Sequence, residues 1–254
     1  GPDEEMLVDP EKTMHLGKPV GKDSSLNSWE GDQWKIGGGT IWGWFSYDPE
    51  LDLIYYGTGN PSTWNPSQRP GDNRWSMTIM ARDPDDGMAK WFYQMTPHDE
   101  WDFDGVNEMI LTDQDFNGQA RKLLTHFDRN GFAYAVDRNS GKFVWGLPFV
   151  KKVTWTKGLD PESGKPVEYD PKQGVQKYNA SVTPSRSNKE TDICPGNMGG
   201  KNWPPTAYNP NLKLWYIPVI ESCNHIKVEE SQQDKLKARE FWTGGGPSQN
   251  VKIT

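Results

Sequence analysis

The segment His98-Asp99-Glu100-Trp101-Asp102-Phe103-Asp104-Gly105 holds the residues best suited to chemistry. In an extended backbone, residues i and i+2 share a face, so Asp102 and Asp104 should aim together while Trp101 and Phe103 face the other way. Two like charges that close repel, and one keeps its proton unless a cation lies between them. A carboxylate pair that calls for a cation and is walled by aromatic rings is a candidate active site.

Other chemistries lack their signatures. There is no G-x-S-x-G elbow, H-E-x-x-H helix, P-loop or dinucleotide fingerprint. The four histidines (His15, His98, His126, His225) have no metal-ligand spacing and read as structural or exposed. Three further segments look like strand-end loops. Gly37 to Trp44 sets three glycines beside two indoles, where a ligand could approach the main chain and stack on a flat ring. Gly57-Thr58-Gly59-Asn60-Pro61 and Asp128-Arg129-Asn130-Gly131 are ordinary turn sequences that also offer an amide oxygen and a guanidinium. Two Asp and one Asn (Asn60, Asp102, Asp104) are hard oxygen donors, suited to Ca²⁺ or a larger trivalent ion and unsuited to zinc or copper.

The scaffold for these loops is legible in the composition. The chain has 254 residues with 13 Trp, 26 Gly and 20 Pro, a mixture that favours strands and tight turns over helix bundles. A net charge of −7 supplies no basic face for nucleic acid, and no apolar run approaches the length of a bilayer span. The pattern A-x-D-x-x-x-G-x-x-x-W occurs at Ala81–Trp91 and again at Ala135–Trp145, 54 positions later. It reads as a strand, an Asp-led turn closed by a left-handed Gly, and a return strand ending on Trp. A second echo pairs Tyr47–Tyr56 with Tyr208–Ile217 at an offset of 161, close to three such periods. Hairpins repeating at about 50 residues predict β-propeller blades, with Trp91 and Trp145 as wedges between neighbours. The fold expected is therefore all-β, a partial β-propeller of about four to five four-stranded blades occupying 1–254 as one domain. Residues 151–190 break the strand rhythm and are expected to be an insertion on one face, and Glu229 to Arg239 a solvated segment. Both ends read as cut, so the chain is expected to be an internal piece of a longer protein. Cys194 and Cys223 are compatible with one disulfide or with two buried thiols.

At these loops the sequence resembles the quinoprotein alcohol dehydrogenases, eight-bladed propellers that carry pyrroloquinoline quinone (PQQ). The resemblance rests on Trp29-Glu30-Gly31-Asp32, Gly37 to Trp44, Gly57 to Pro61, Arg69 to Asn73, Pro97 to Asn107, Asp128 to Gly131 and Cys194 to Trp203. It implies that Trp42 is the floor under the quinone, with Thr40, Arg129, Asn202 and Trp203 as further cofactor contacts. Asn60, Asp102 and Asp104 would be metal ligands, Asp102 the general base, Arg129 the group beside the reactive carbonyl, and Trp64 a wall of the substrate pocket. Cys194 and Cys223 match a disulfide of the family. Asp at position 104 resembles the lanthanide-dependent methanol dehydrogenase branch, the calcium-dependent enzymes having a small neutral residue there. The implied setting is the periplasm, with a small primary alcohol as substrate, a cytochrome c as electron acceptor, no stable membrane insertion, and a homodimer left open. The resemblance also places the family's glutamate metal ligand before Gly1.

Two other readings compete. A glycosidase would use Asp102 and Asp104 as acid and base, but residues two apart on one strand are poorly placed to flank a sugar. A non-catalytic propeller serving interaction or assembly, with a vestigial metal site, would not need Trp42 and Arg129 to face the carboxylates.

Overall fold

The structure, a computed structural model, describes residues 1–36, 38–62, 66–184 and 190–228, together with the backbone of 245–251. Trp64 and the segment Glu229 to Arg239 lie outside the described residues.

Among the described residues there are fifteen strands and, apart from them, only short 3-10 turns. They are β1 (Met14–His15), β2 (Lys18–Pro19), β3 (Phe45–Asp48), β4 (Leu53–Gly57), β5 (Thr78–Arg82), β6 (Ala89–Gln94), β7 (Met109–Phe116) and β8 (Gln119–Phe127). The chain continues with β9 (Phe132–Asp137), β10 (Phe143–Pro148), β11 (Glu190–Ile193), β12 (Ala207–Asn209), β13 (Leu214–Tyr216), β14 (Cys223–Val228) and β15 (Gly245–Val251). β3 to β6 and β7 to β10 form successive antiparallel meanders of four strands, the blades of a partial propeller. β1 extends the first blade by running parallel to β6, and β2 pairs with β1. β11, β14 and β15 make a third sheet, and β12 with β13 a two-stranded one. No described helix is long and apolar enough to cross a membrane.

The two sequence echoes are mechanical. In the first, Trp91 of β6 is buried against Gly141, the glycine of the next repeat; a Cβ there would sit 2.5 Å from the indole. Gly141 also has φ of +68°, so the position excludes a side chain on two counts. The Trp91 indole N–H and the Tyr55 hydroxyl both donate to the Arg138 carbonyl, at 3.1 and 2.9 Å. The Arg138 guanidinium, itself buried, donates back to Asp48 at 2.5 Å and to Asp113 at 2.7 Å. Tyr93 and Tyr134 complete the join, with ring centroids 5.9 Å apart. Trp145, half-buried, meets Trp215 of β13 at 6.4 Å.

The second echo is a turn. Asp48 Oδ1 accepts the N–H groups of Glu50 and Leu51, and Asn209 Oδ1 those of Asn211 and Leu212. Asp52 and Lys213, at matching places, both have positive φ. In the full-length protein, Gly141→Ala is expected to destabilise by about 2–3 kcal/mol, combining overpacking with backbone strain. The urea midpoint measures it.

Residues 151–184 contain one isolated bridge, Leu159 opposite Pro166. They contribute to the main core through Trp155, Tyr178 and Val182. Trp155 packs on Trp101 and Phe103 at 5.6 and 5.7 Å. The segment thus walls the back of the carboxylate loop, anchored by Trp155 Nε1 donating to the Asn130 carbonyl and Tyr178 to that of Pro97.

Candidate active site

Asp102 and Asp104 lie on the connection from β6 to β7, and that connection is not a strand. The alternation expected from an extended chain occurs, but its cause differs. Asp102 has φ of +64° and Asp104 +51°, left-handed turns that an aspartate tolerates better than most residues. Trp101 and Phe103 are fully buried. The Asp102 side chain is 23% exposed and that of Asp104 7%, so only Asp102 faces open space.

Three other loops meet this one. The turn after β4 brings Asn60, whose backbone N–H donates to Asp104 Oδ1 at 2.7 Å. The segment before β3 brings Trp42, half-buried, whose indole N–H favours the charged form of Asp104. Gly59 makes room: a Cβ there would lie 2.7 Å from Asp104 Oδ1 and 3.0 Å from Trp42 Nε1. Gly38 has a different task from the one expected, since a Cβ on it would meet the Pro61 backbone at 2.2 Å. It lets two loops approach each other rather than a ligand. Thr40 is exposed, and its carbonyl accepts the Gly59 N–H at 2.9 Å.

Arg129, on the β8–β9 turn, joins the carboxylates. Nη1 donates to Asp104 Oδ2, and Nη2 lies 3.6 Å from Asp102 Oδ2 while donating to the Asn197 carbonyl. The Arg129 side chain is 5% exposed, and its Nε has no hydrogen-bond partner among the described residues. Asn197 belongs to the loop that starts at Cys194, which is joined to Cys223 by a disulfide. That loop also carries Asn202 and Trp203. Asn202 donates to the Met198 carbonyl at 3.0 Å and accepts the Trp203 N–H, so its amide shapes the loop. Trp203 is 61% exposed and tilts over Trp42 with ring centroids 5.2 Å apart. Buried Lys201 secures the loop from below, with Nζ 2.8 Å from Glu108 Oε2.

The electrostatics follow from this packing. Burial raises the pKa of Asp102, repulsion from Asp104 adds to the rise, and Arg129 offsets part of it. Asp104 is also raised by burial, against the pull of Arg129, the Asn60 N–H and the Trp42 indole. Ionising both carboxylates beside a single guanidinium would leave an excess negative charge in a mostly dry setting, which is what holds Asp102 toward its protonated form. A hard cation would relieve it.

The structure therefore brings Trp42, Asn60, Asp102, Asp104, Arg129 and Trp203 together, leaves Thr40 at the rim, and gives Asn202 a loop-shaping contact. Sequence reasoning passed over Asp99, Arg69, Lys201 and the Asn197 carbonyl. For Lys201 and Asn197 no sequence signal existed, because each acts on a residue far away in the chain.

A sequence profile for the glucose/ethanol/alcohol dehydrogenase β-propeller domain matches residues 15–156, more than half of the chain. The chain belongs to this PQQ family. Among the propeller dehydrogenases similar to it, the lanthanide-dependent methanol dehydrogenase of Methylorubrum extorquens is 59% identical over 88% of this chain. Methanol dehydrogenase (cytochrome c) subunit 1 of Paracoccus denitrificans is 44% identical over 96% of it. The chain spans 37% of the length of each of these curated relatives. A solved europium-containing methanol dehydrogenase superposes with a TM-score of 0.84 at 44% identity, covering 96% of this chain and 40% of that one.

The site residues fit a hard ion as one side of its shell. Among the described residues no three His, Cys, Asp or Glu side chains come together to hold a metal on their own. Two carboxylates with an amide nearby are nevertheless the donor chemistry of a Ca²⁺ or trivalent site, which takes more oxygens than these alone supply. The half-buried indole of Trp42 and the Arg129 Nε, which has no partner among the described residues, suit a flat, oxygen-rich cofactor.

Proposed function

We propose that this chain is part of the catalytic propeller of a periplasmic, PQQ-dependent alcohol dehydrogenase that uses a lanthanide ion to oxidise methanol or another small primary alcohol. The observation that carries the reading is the convergence of Asn60, Trp42 and Arg129 on the Asp104 carboxylate, with Asp102 beside it, in a chain of this family. When bound, PQQ supplies the electrophilic carbonyl that takes hydride, and the metal supplies Lewis-acid polarisation.

The chain's own residues do the rest. Asp102, the more exposed carboxylate, removes the hydroxyl proton of the alcohol. Asn60, Asp102 and Asp104 hold the metal, and the negative charge at Asp104 favours a trivalent ion over Ca²⁺. Arg129 donates toward quinone oxygen from a position set by Asp104 and the Asn197 carbonyl. Trp42, Thr40, Asn202 and Trp203 would hold the cofactor, Trp42 by stacking. Electrons leave to a cytochrome c, the acceptor in the name of the Paracoccus relative.

The test is alcohol oxidation by the full-length protein reconstituted with PQQ and either La³⁺ or Ca²⁺. Turnover with La³⁺ well above that with Ca²⁺ is expected. Equal rates would remove the lanthanide assignment, and no PQQ-dependent turnover with either ion would remove the enzymatic one.

A further inference from the structure

Asp99 is 1% exposed, and both its carboxylate oxygens are committed. Oδ1 accepts the Trp101 N–H at 3.1 Å and Oδ2 the Phe103 N–H at 3.0 Å. These two N–H groups belong to the residues immediately before Asp102 and Asp104. An extended chain would send them to a neighbouring strand; here one side chain collects both. The peptide planes so fixed precede the two left-handed turns, a conformation that costs energy for any residue but Gly and persists only where its surroundings impose it. Asp99 is in turn held by its carbonyl, which accepts a hydrogen bond from Arg69 Nη2, and Arg69 is itself buried and bonded to Asn73 at 2.7 Å. Because both oxygens already have donors and the side chain is sealed, Asp99 is no candidate ligand. It acts on the pair through the backbone.

We infer that Asp99 is the positioning residue of the carboxylate pair, its two hydrogen bonds setting the turns that aim Asp102 and Asp104 at one ion. The function of the pair rests on the reading above, whereas the conformational part does not. Asp99→Ala removes both acceptors. Asp99→Asn keeps one oxygen and sets an NH₂ against the other N–H, so it is the milder variant and the fallback where the alanine variant does not fold.

Two measurements on the full-length protein decide the matter. In amide hydrogen exchange without metal, Trp101 and Phe103 should be protected in the natural protein. In the variants they should exchange at least about tenfold faster, with β7–β10 unchanged. In a Eu³⁺ luminescence titration, the folded variants should bind about 10–100-fold more weakly, the range for losing a group that orients a ligand. Unchanged protection at both amides, or unchanged Eu³⁺ affinity in a variant of lowered thermal midpoint, would overturn the positioning role. Absence of Eu³⁺ binding by the natural protein would instead overturn the metal reading, and the exchange arm would still decide Asp99.

Discussion

Replacing Asp102 with Asn in the full-length protein is expected to lower kcat/KM for a primary alcohol by about 10²–10⁴-fold, the span of a well-placed general base. The amide keeps an oxygen where the carboxylate had one, so a donor toward the metal survives while the proton acceptor is lost. Measuring at saturating La³⁺ and PQQ separates the lost base from weakened binding. Folding should be largely spared, since Asp102 is the more exposed of the pair and makes only a 3.6 Å ion pair with Arg129. A loss below tenfold under saturation would show that another group takes the proton.

Asp104→Asn should instead act on the metal. Asp104 lies deeper than Asp102, and its oxygens are held by the Asn60 N–H and Arg129. The isosteric amide retains the shape and removes one negative charge. La³⁺ affinity is expected to fall by at least about 10–100-fold, what losing even an outer partner of a metal ligand costs. Ca²⁺ affinity should fall less, because attraction to a fixed charge scales with the charge of the ion. Competition between the two ions against Eu³⁺ luminescence reads both numbers. An equal drop for both would mean that Asp104 binds metal without selecting it.

The blade architecture could be read from the chain because the residues that lock neighbouring blades recur. Trp91 and Gly141 are partners in one joint, and each belongs to a copy of the same eleven-residue pattern. The paired turns at Asp48 and Asn209 were equally visible, since their side-chain bonds are local. The carboxylate loop was harder. Period-two alternation looks the same whether a strand or a run of left-handed turns produces it, and only the partners of the Trp101 and Phe103 N–H groups distinguish them. Asp99 was hidden for the same reason, because an aspartate that bonds its own backbone has no distinctive neighbours in sequence. In residues 151–184 a polar composition masked three buried anchors, Trp155, Tyr178 and Val182. The parts given to Thr40, Asn202 and Trp203 came from family resemblance alone; spacing carried no information about them.

Arg129 has a consequence for the order of assembly. Many small metal sites cannot fold empty, since their bare ligands repel and the ion must arrive first. Here a guanidinium already pairs with Asp104 and lies 3.6 Å from Asp102, so at most one carboxylate charge is left uncompensated. It serves as a resident placeholder, so the loops of the site can close without an ion. A metal would then compete with an internal cation rather than rescue an unfolded chain.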